Sequence, residues 1–284
     1  MTTEQPLVEM IRDRLAGDLR GLPVFHSVAV KLQQMLASRD FRMEEVIRLI
    51  GEDQALASQV LKMGNSSFYT GLSKVATIKD AVVRLGAQEI ANLVMMASQA
   101  EQYTSGHPVL DSFLQKLWDH ALCCATGAAW LASRAGYASL AAEAFMGGLL
   151  HDIGKLAIIK ALDGILQAGG TKANVSEVLI NEILDTMHED VGHRLMLAWC
   201  LPETYCSIAV NHHRAEYDGN DILLVIVRLA NLACRKVGKA LSPDPTVALF
   251  GAPEAQFLGV KEITLAELEI VVEDAGTQAA GVPG

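Results

Sequence analysis

The chain has 284 residues and a formal net charge of −10, with 51% hydrophobic but only 5% aromatic residues. That length allows one large domain or two modest lobes around a substantial core, and the core must be aliphatic. The acidic balance excludes the broad basic surface that a general nucleic-acid binder or an anionic-membrane binder needs, although one local basic pocket is compatible with it.

Mean hydropathy is +0.26. The richest apolar stretch, Ile222 to Cys234, is interrupted by Arg228 and Asn231, and it falls short of the ~20 residues that cross a bilayer. The N-terminus lacks the basic, apolar and small-residue order of a signal peptide. Cys123, Cys124, Cys200, Cys206 and Cys234 are odd in number and form no CxxC, so they read as buried, reduced thiols. The expectation is a cytoplasmic protein that partners neither nucleic acid nor membrane.

In chain order, the run Asp53–Gly64 carries apolar residues at Leu56, Val60 and Met63, and Gly64 reads as a left-handed helix stop. Thr77-Ile78-Lys79-Asp80 is a capping-box variant that opens a short helix closed by Gly86. A helix over 87–100 follows, with Ile90, Leu93, Val94 and Ala97 on one face. After a loop containing Gly106 and Pro108, a long helix runs from Pro108 to about Arg134, and Gly136 ends it. Further helices are expected at about 140–150, 155–168, 175–187, 189–200, 203–213 and 221–237. Thr264-Leu265-Ala266-Glu267 reads as the cap of a last helix through Val272, followed by a disordered tail from Ala275 to Gly284. No stretch alternates with period two, so the reading is all-α.

His120, His151-Asp152, His188 and His212-His213 stand out as chemistry. Neutral imidazole nitrogens and a charged carboxylate suit a divalent metal such as Fe, Mn, Zn or Mg. A water on such a metal, its pKa lowered, could attack a phosphoester. The bland alternative is a helix end, with Asp152 accepting backbone donors and His151 filling a pocket. Lys155 is a candidate phosphate contact or a solvated helix lysine. Cys124, one turn after His120, is a core thiol or a neighbour of the same cavity. Trp118, Trp130 and Trp199 read as packing residues, and His26 and His107 as surface or loop residues. Arg12, Arg14 and Arg20 read as a solvated helix face or a linker.

Gly147-Gly148-Leu149-Leu150-His151-Asp152-Ile153-Gly154-Lys155 resembles the signature of the HD phosphohydrolase superfamily. His120 matches the superfamily's first histidine, on an earlier helix. His188, Gly192 and Ala198-Trp199-Cys200-Leu201-Pro202, then His212-His213, resemble the run of its HDOD branch. In the amino-terminal half, Gly51-Glu52-Asp53-Gln54-Ala55-Leu56, Val60-Leu61-Lys62-Met63-Gly64-Asn65-Ser66 and Ile78–Gly86 resemble the HDOD pattern, with Gln54 where proline is usual. Leu229-Ala230-Asn231 stands where the superfamily has its final metal-binding aspartate, so an amide replaces the carboxylate.

The resemblance implies an N-terminal helical lobe (about 20–105) packed on an HD-like lobe (about 106–240), flanked by an extension (1–19) and a C-terminal helical segment (241–284). It implies a metal set of His120, His151, Asp152, His188, His212, His213 and Asn231. It further implies a bacterial signal-transduction output or scaffold module that works through a signalling protein partner with little or no catalysis. The alternatives are a metal-dependent phosphohydrolase or phosphodiesterase acting on a nucleotide or cyclic dinucleotide, and a sensor that binds such a ligand without turnover. The Gly-Tyr-Pro segment of cyclic-dinucleotide hydrolases is replaced after the double histidine by Arg214-Ala215-Glu216-Tyr217.

Overall fold

The computed structural model describes residues 7–17, 19–38, 41–65, 74–169 and 176–279. In chain order these form α1 (Leu7–Ala16), α2 (Ser27–Ser38), α3 (Met43–Gly51), α4 (Gln54–Gly64), α5 (Ile78–Leu85), α6 (Ala87–Ala100) and α7 (Pro108–Arg134). Then follow α8 (Ala141–Leu150), α9 (Ile153–Gln167), α10 (Glu177–Ala198), α11 (Glu203–Asn211), α12 (Ile222–Lys236), α13 (Pro253–Phe257) and α14 (Glu262–Ala279). No strand occurs among the described residues. Among them, no helix is long and apolar enough to cross a membrane.

The chain divides into two compact bodies. The first takes Pro23–Gln102 with Cys200–Pro202. The second takes Met1–Leu22, Tyr103–Trp199 and Glu203–Gly284.

In the first body α6 is the central helix, burying Ile90, Leu93, Val94 and Met95 completely, with α2, α4 and α5 against it. The Thr77 capping box forms: the Asp80 amide donates to Thr77 Oγ1 at 3.0 Å, and the Thr77 amide donates to Asp80 Oδ2 at 3.2 Å. Gly86, at φ 85°, makes the sharp step between α5 and α6. The stop after α4 differs from the sequence expectation. Gly64 is not left-handed; it is buried at the helix end, beside the side chains of Leu85, Leu93 and Val75. Asn65 does the terminating. Its amide nitrogen donates to the carbonyls of Leu61 and Val75, both at 2.9 Å, and its amide oxygen accepts from the Val75 amide at 2.9 Å. Ser66 lies outside the described residues. His26, expected as a surface or loop residue, lies 3.3 Å from Asp53.

The second body is organised on α7, which Pro108 opens at the first turn and Gly136, at φ 89°, follows. Helices α8, α12 and α14 lie against α7, and α9 lies against α10. α1 buries Ile11 and Leu15 and packs on α9, with Arg12 and Arg14 on its exposed face. The Arg20 side chain is outside the described set. Trp118 packs on Tyr103, ring centroids 5.1 Å apart.

Three helix expectations need correction. The helices expected at 175–187 and 189–200 are one, α10, because Gly192 serves as a helix–helix contact and no breaker interrupts the chain near His188. The last helix starts at Glu262, two residues before Thr264, and continues to Ala279, so 275–279 is helical; 280–284 lies outside the described residues. α13, with Pro253 in its first turn, was not foreseen; five residues are too few to show a period. All five cysteines are thiols, but Cys200 is exposed, at φ 52°, rather than buried.

Candidate metal centre

α8 ends at Leu150 and α9 begins at Ile153, so His151 and Asp152 form the corner between two helices. His120 comes from the middle of α7, His188 from α10, His212 and His213 from the turn after α11, and Asn231 from α12. Helices of ordinary girth could not bring these corners together. At Gly154 an added Cβ would sit 1.9 Å from the carbonyl oxygen of His188, so the backbones of α9 and α10 touch there. At Gly148 it would sit 2.7 Å from Cα of Ala125, which places α8 directly on α7. These two glycines carry Asp152 to His188, and His151 to His120.

The carboxylate of Asp152 is the hub. Its Oδ2 faces Nε2 of His120 at 3.3 Å and of His151 at 3.5 Å. Its Oδ1 faces Nε2 of His212 at 3.3 Å and of His188 at 3.5 Å. Two ligand groups therefore share Asp152: His120, His151 and Asp152, and Asp152, His188, His212 and His213. All these residues except His213 are buried.

The far side of each ring fixes its chemistry. His120 Nδ1 lies 2.6 Å from the carbonyl oxygen of Lys239, and His151 Nδ1 lies 2.7 Å from that of Gly148. His188 Nδ1 lies 2.7 Å from the carbonyl of Leu184, and His212 Nδ1 lies 2.9 Å from that of Ala209. A carbonyl only accepts, so each Nδ1 carries a proton, and each ring in its neutral form turns an Nε2 lone pair inward. Nε2 of His120 and His151 are 3.1 Å apart, and those of His188 and His212 are 3.4 Å apart. Facing lone pairs at such distances require a proton or a cation between them. Asp152 Oδ1 meanwhile has no donor in hydrogen-bond geometry, although two Nε2 atoms stand near it. A buried carboxylate with an unsatisfied oxygen amid inward lone pairs fits a divalent cation.

Electrostatics agree. Burial alone would raise Asp152, but Lys155 and His151 outweigh it, with His120 and His212 adding to the effect, and the carboxyl is held well below the usual range. Burial would lower His151, yet Cys124 and Asp152 outweigh it and raise the group to about 9. His188 is lowered to about 4 by burial, with Lys155 and His212 adding to the effect against Asp152. His212 and His213 are lowered as well, first by loss of solvent. Three imidazoles are thus ready ligands near neutrality, while His151 must yield a proton.

Lys155 is neither solvated nor distant. Its ammonium donates to Asp152 Oδ2 at 2.7 Å and is buried. Lys155, Asn231, His120 and His213 line a cavity of about 210 Å³, completed by Asp185, Arg235 and Ala240–Ser242. Asn231 is buried at its wall. Cys124 is a fully buried core thiol, its Sγ 3.9 Å from the Val227 carbonyl and outside the lining of the cavity, although it faces His151 electrostatically. The sequence reading missed Lys239, whose contribution is a backbone carbonyl and carries no residue-type signal. It also missed Arg235, whose place on the wall depends on the turn after α12.

The sequence profile described as the HDOD domain matches residues 22–215. An uncharacterized protein of Treponema pallidum (strain Nichols) is 27% identical over 241 residues, which are 82% of this chain and 45% of that protein. The chain thus spans less than half the length of that relative. Among solved structures, an HDOD domain protein with unknown function from Geobacter sulfurreducens is 21% identical with a TM-score of 0.73, covering 95% of this chain and 96% of that one. A Shewanella amazonensis SB2B protein, whose name suggests a metal-dependent phosphohydrolase, is 16% identical with a TM-score of 0.68, covering 97% and 100%. A Marinobacter aquaeolei VT8 protein, whose name suggests signal transduction, is 21% identical with a TM-score of 0.66, covering 96% and 66%. At these identities the structural likeness is one of fold.

Proposed function

The chain belongs to the HDOD family, and from that premise we propose that it is a bacterial signalling module that binds divalent metal, has little or no hydrolytic activity, and acts through a protein partner. The observation that carries this reading is the convergence of four imidazole Nε2 atoms on Asp152 beside a wall where Asn231 stands in place of a carboxylate. His120, His151, Asp152, His188, His212 and His213 would hold the metal, with Asn231 a neutral neighbour. A bound cation would supply charge to polarise a phosphoryl oxygen and acidify a water. The protein's own groups restrain that chemistry. Asn231 brings no negative charge and no basic oxygen, and Lys155 already neutralises part of Asp152. The histidine and carboxylate donors suit Fe, Mn or Zn better than Mg, which prefers an oxygen shell.

The test is metal content by elemental analysis of protein purified without chelator or affinity metal, beside a His151→Ala control, followed by assay of generic phosphomonoesters and phosphodiesters. Stoichiometric metal that is lost in the control, with turnover at the background rate, is the expected result. Rapid turnover by metal-loaded protein would overturn the low-activity reading.

One observation favours a second reading, a phosphohydrolase. The cavity beside the cluster carries two cations, Lys155 and Arg235, as a phosphoryl group would require. Its volume of about 210 Å³ is below the ~300–1,000 Å³ of pockets that enclose drug-sized ligands, which favours a small phosphate ester over a cyclic dinucleotide. Asn231→Asp discriminates between the readings, because restored turnover would identify the amide as the missing group.

A further inference from the structure

Arg228 interrupts the apolar run of α12, and its side chain is only 13% exposed. From α12 its guanidinium reaches the turn after α11. Nη1 donates to the carbonyls of Asn211 at 3.0 Å, His212 at 2.9 Å and Arg214 at 2.9 Å. Nε donates to Oε1 of Glu254 at 2.7 Å, and the guanidinium carbon lies 3.9 Å from the centre of the Tyr217 ring. Glu254 is buried on α13, outside the 22–215 segment that the family profile matches.

The last carbonyls of a helix have no partner within it. Here one rigid guanidinium from another helix binds the last helical carbonyl, that of Asn211, and two in the turn beyond it, those of His212 and Arg214. The carbonyls of Asn211 and His212 belong to the peptide units on either side of the His212 Cα, so holding both fixes the direction in which the His212 side chain leaves the backbone. His213 begins at the second of those units. A twist of this turn would carry Nε2 of His212 away from Asp152 Oδ1, now 3.3 Å away. Lysine would keep the charge but has no planar fork to hold several fixed acceptors. Glu254 takes the Nε side of the guanidinium and thereby sets which way Nη1 faces.

We infer that Arg228 is a positioning residue for the His212–His213 side of the metal centre and that Glu254 orients it, so that α12 and α13 complete a site whose histidines all lie within the family segment. The metal arm of this inference rests on the metal-binding reading above; the side-chain arm does not.

The experiment compares full-length wild type, Arg228→Lys and Glu254→Gln. In metal-free protein labelled with ¹⁵N-histidine, two-bond NMR correlations report ring tautomers. Wild-type His212 is expected as the Nδ1–H form. Arg228→Lys should shift or broaden the His212 and His213 signals while leaving those of His120 and His151 in place, a pattern that general loosening would not give. Glu254→Gln, which keeps an acceptor in position, should fall between. Chelator competition with Co²⁺ should show affinity weakened by about 10-fold or more in Arg228→Lys, the range of outer partners of metal ligands, with altered visible absorption bands. If Arg228→Lys does not fold, Glu254→Gln decides. Unchanged His212 and His213 signals in the folded variants, with Co²⁺ affinity within twofold of wild type, would overturn the inference. Absence of Co²⁺ binding by wild type would instead remove the metal-binding reading, and the ¹⁵N signals alone would then decide whether Arg228 positions the pair.

Discussion

The two bodies are built from the same aliphatic helices, yet they bury different polar groups. Among the described residues of the first body the buried polar side chains are Gln33, Asn92, Ser98 and Gln99, none of which ionises. In the second they include His120, His151, Asp152, Lys155, Asp163, His188, His212 and Glu254. Removing charge from water is costly unless each group is paired. The second body therefore sets its buried ionisable groups in mutual ion pairs and against backbone carbonyls, whereas the ion pairs of the first, such as His26–Asp53, involve partly or fully exposed side chains. Chemistry is concentrated where that cost is met.

The largest expected break in this contrast comes from glycine. Gly154→Ala would drive a Cβ to 1.9 Å from the His188 carbonyl oxygen. α9 and α10 must then separate, and a loss above about 4 kcal/mol, or failure to fold, is expected in urea denaturation. In the first body, Gly51→Ala meets nothing within 4 Å, so the same chemical change should alter stability by less than about 1 kcal/mol. A large loss there would dissolve the contrast.

Asp152→Asn comes next. It strips the buried Lys155 ammonium of its counter-charge, and metal-free protein should lose about 3–5 kcal/mol. Gln99→Leu in the first body removes the hydrogen bonds to the Val24 carbonyl at 3.1 Å and, more weakly, to Met95 Sδ at 4.0 Å, at a cost of about 1 kcal/mol. Comparable losses for the two would mean that the Asp152 cluster carries no special burden.

The pH dependence of metal affinity has a definite sign. His151, raised to about 9, holds a proton near neutrality that a cation must displace. His188, lowered to about 4, does not. Chelator competition between pH 6 and 9 should show affinity rising by up to about tenfold per unit, the effect of one released proton, and flattening above about 9. A flat profile from pH 6 upward would show that His151 is already neutral.

Asn231→Asp should sharpen the contrast by adding a charge to the cavity wall. Metal affinity is expected to rise on the order of tenfold, equivalent to about 1.4 kcal/mol, as read by isothermal titration. The smallest effect belongs to the first body. Thr77→Ala removes the capping box of α5 and should cost about 1 kcal/mol in thermal or urea unfolding with metal binding unchanged.

Much of this was legible in the chain itself. The capping box at Thr77, Pro108 at the start of α7, Gly86 and Gly136 as helix ends, and the all-helical class follow from local rules in which a few neighbouring residues decide the backbone. The candidate site residues were legible as a pattern of residue types in order: His120, His151-Asp152, His188 and His212-His213 meet around one carboxylate, with Asn231 on the cavity wall beside them. Local rules failed where a residue's partner is distant. Gly64 reads as a left-handed stop, yet the helix ends through the bond between Asn65 and Val75, ten residues on. Lys155 reads as either a phosphate contact or a solvated lysine, and burial with Asp152 at 2.7 Å removes the second.

By itself the sequence determined the helical class, most helix boundaries and which residues are candidate metal ligands, because periodicity, caps and ligand types are properties of short segments. Only the tertiary structure decided the protonation of that set and its support. The inward lone pairs depend on carbonyls as remote as that of Lys239, which lies 119 residues from His120. The hold on His212 depends on a guanidinium 16 residues away and a carboxylate 26 residues beyond that. Such contacts are made by faces of different helices, and which faces meet is settled by packing, where the absence of a Cβ at Gly148 and Gly154 decides how closely the backbones approach.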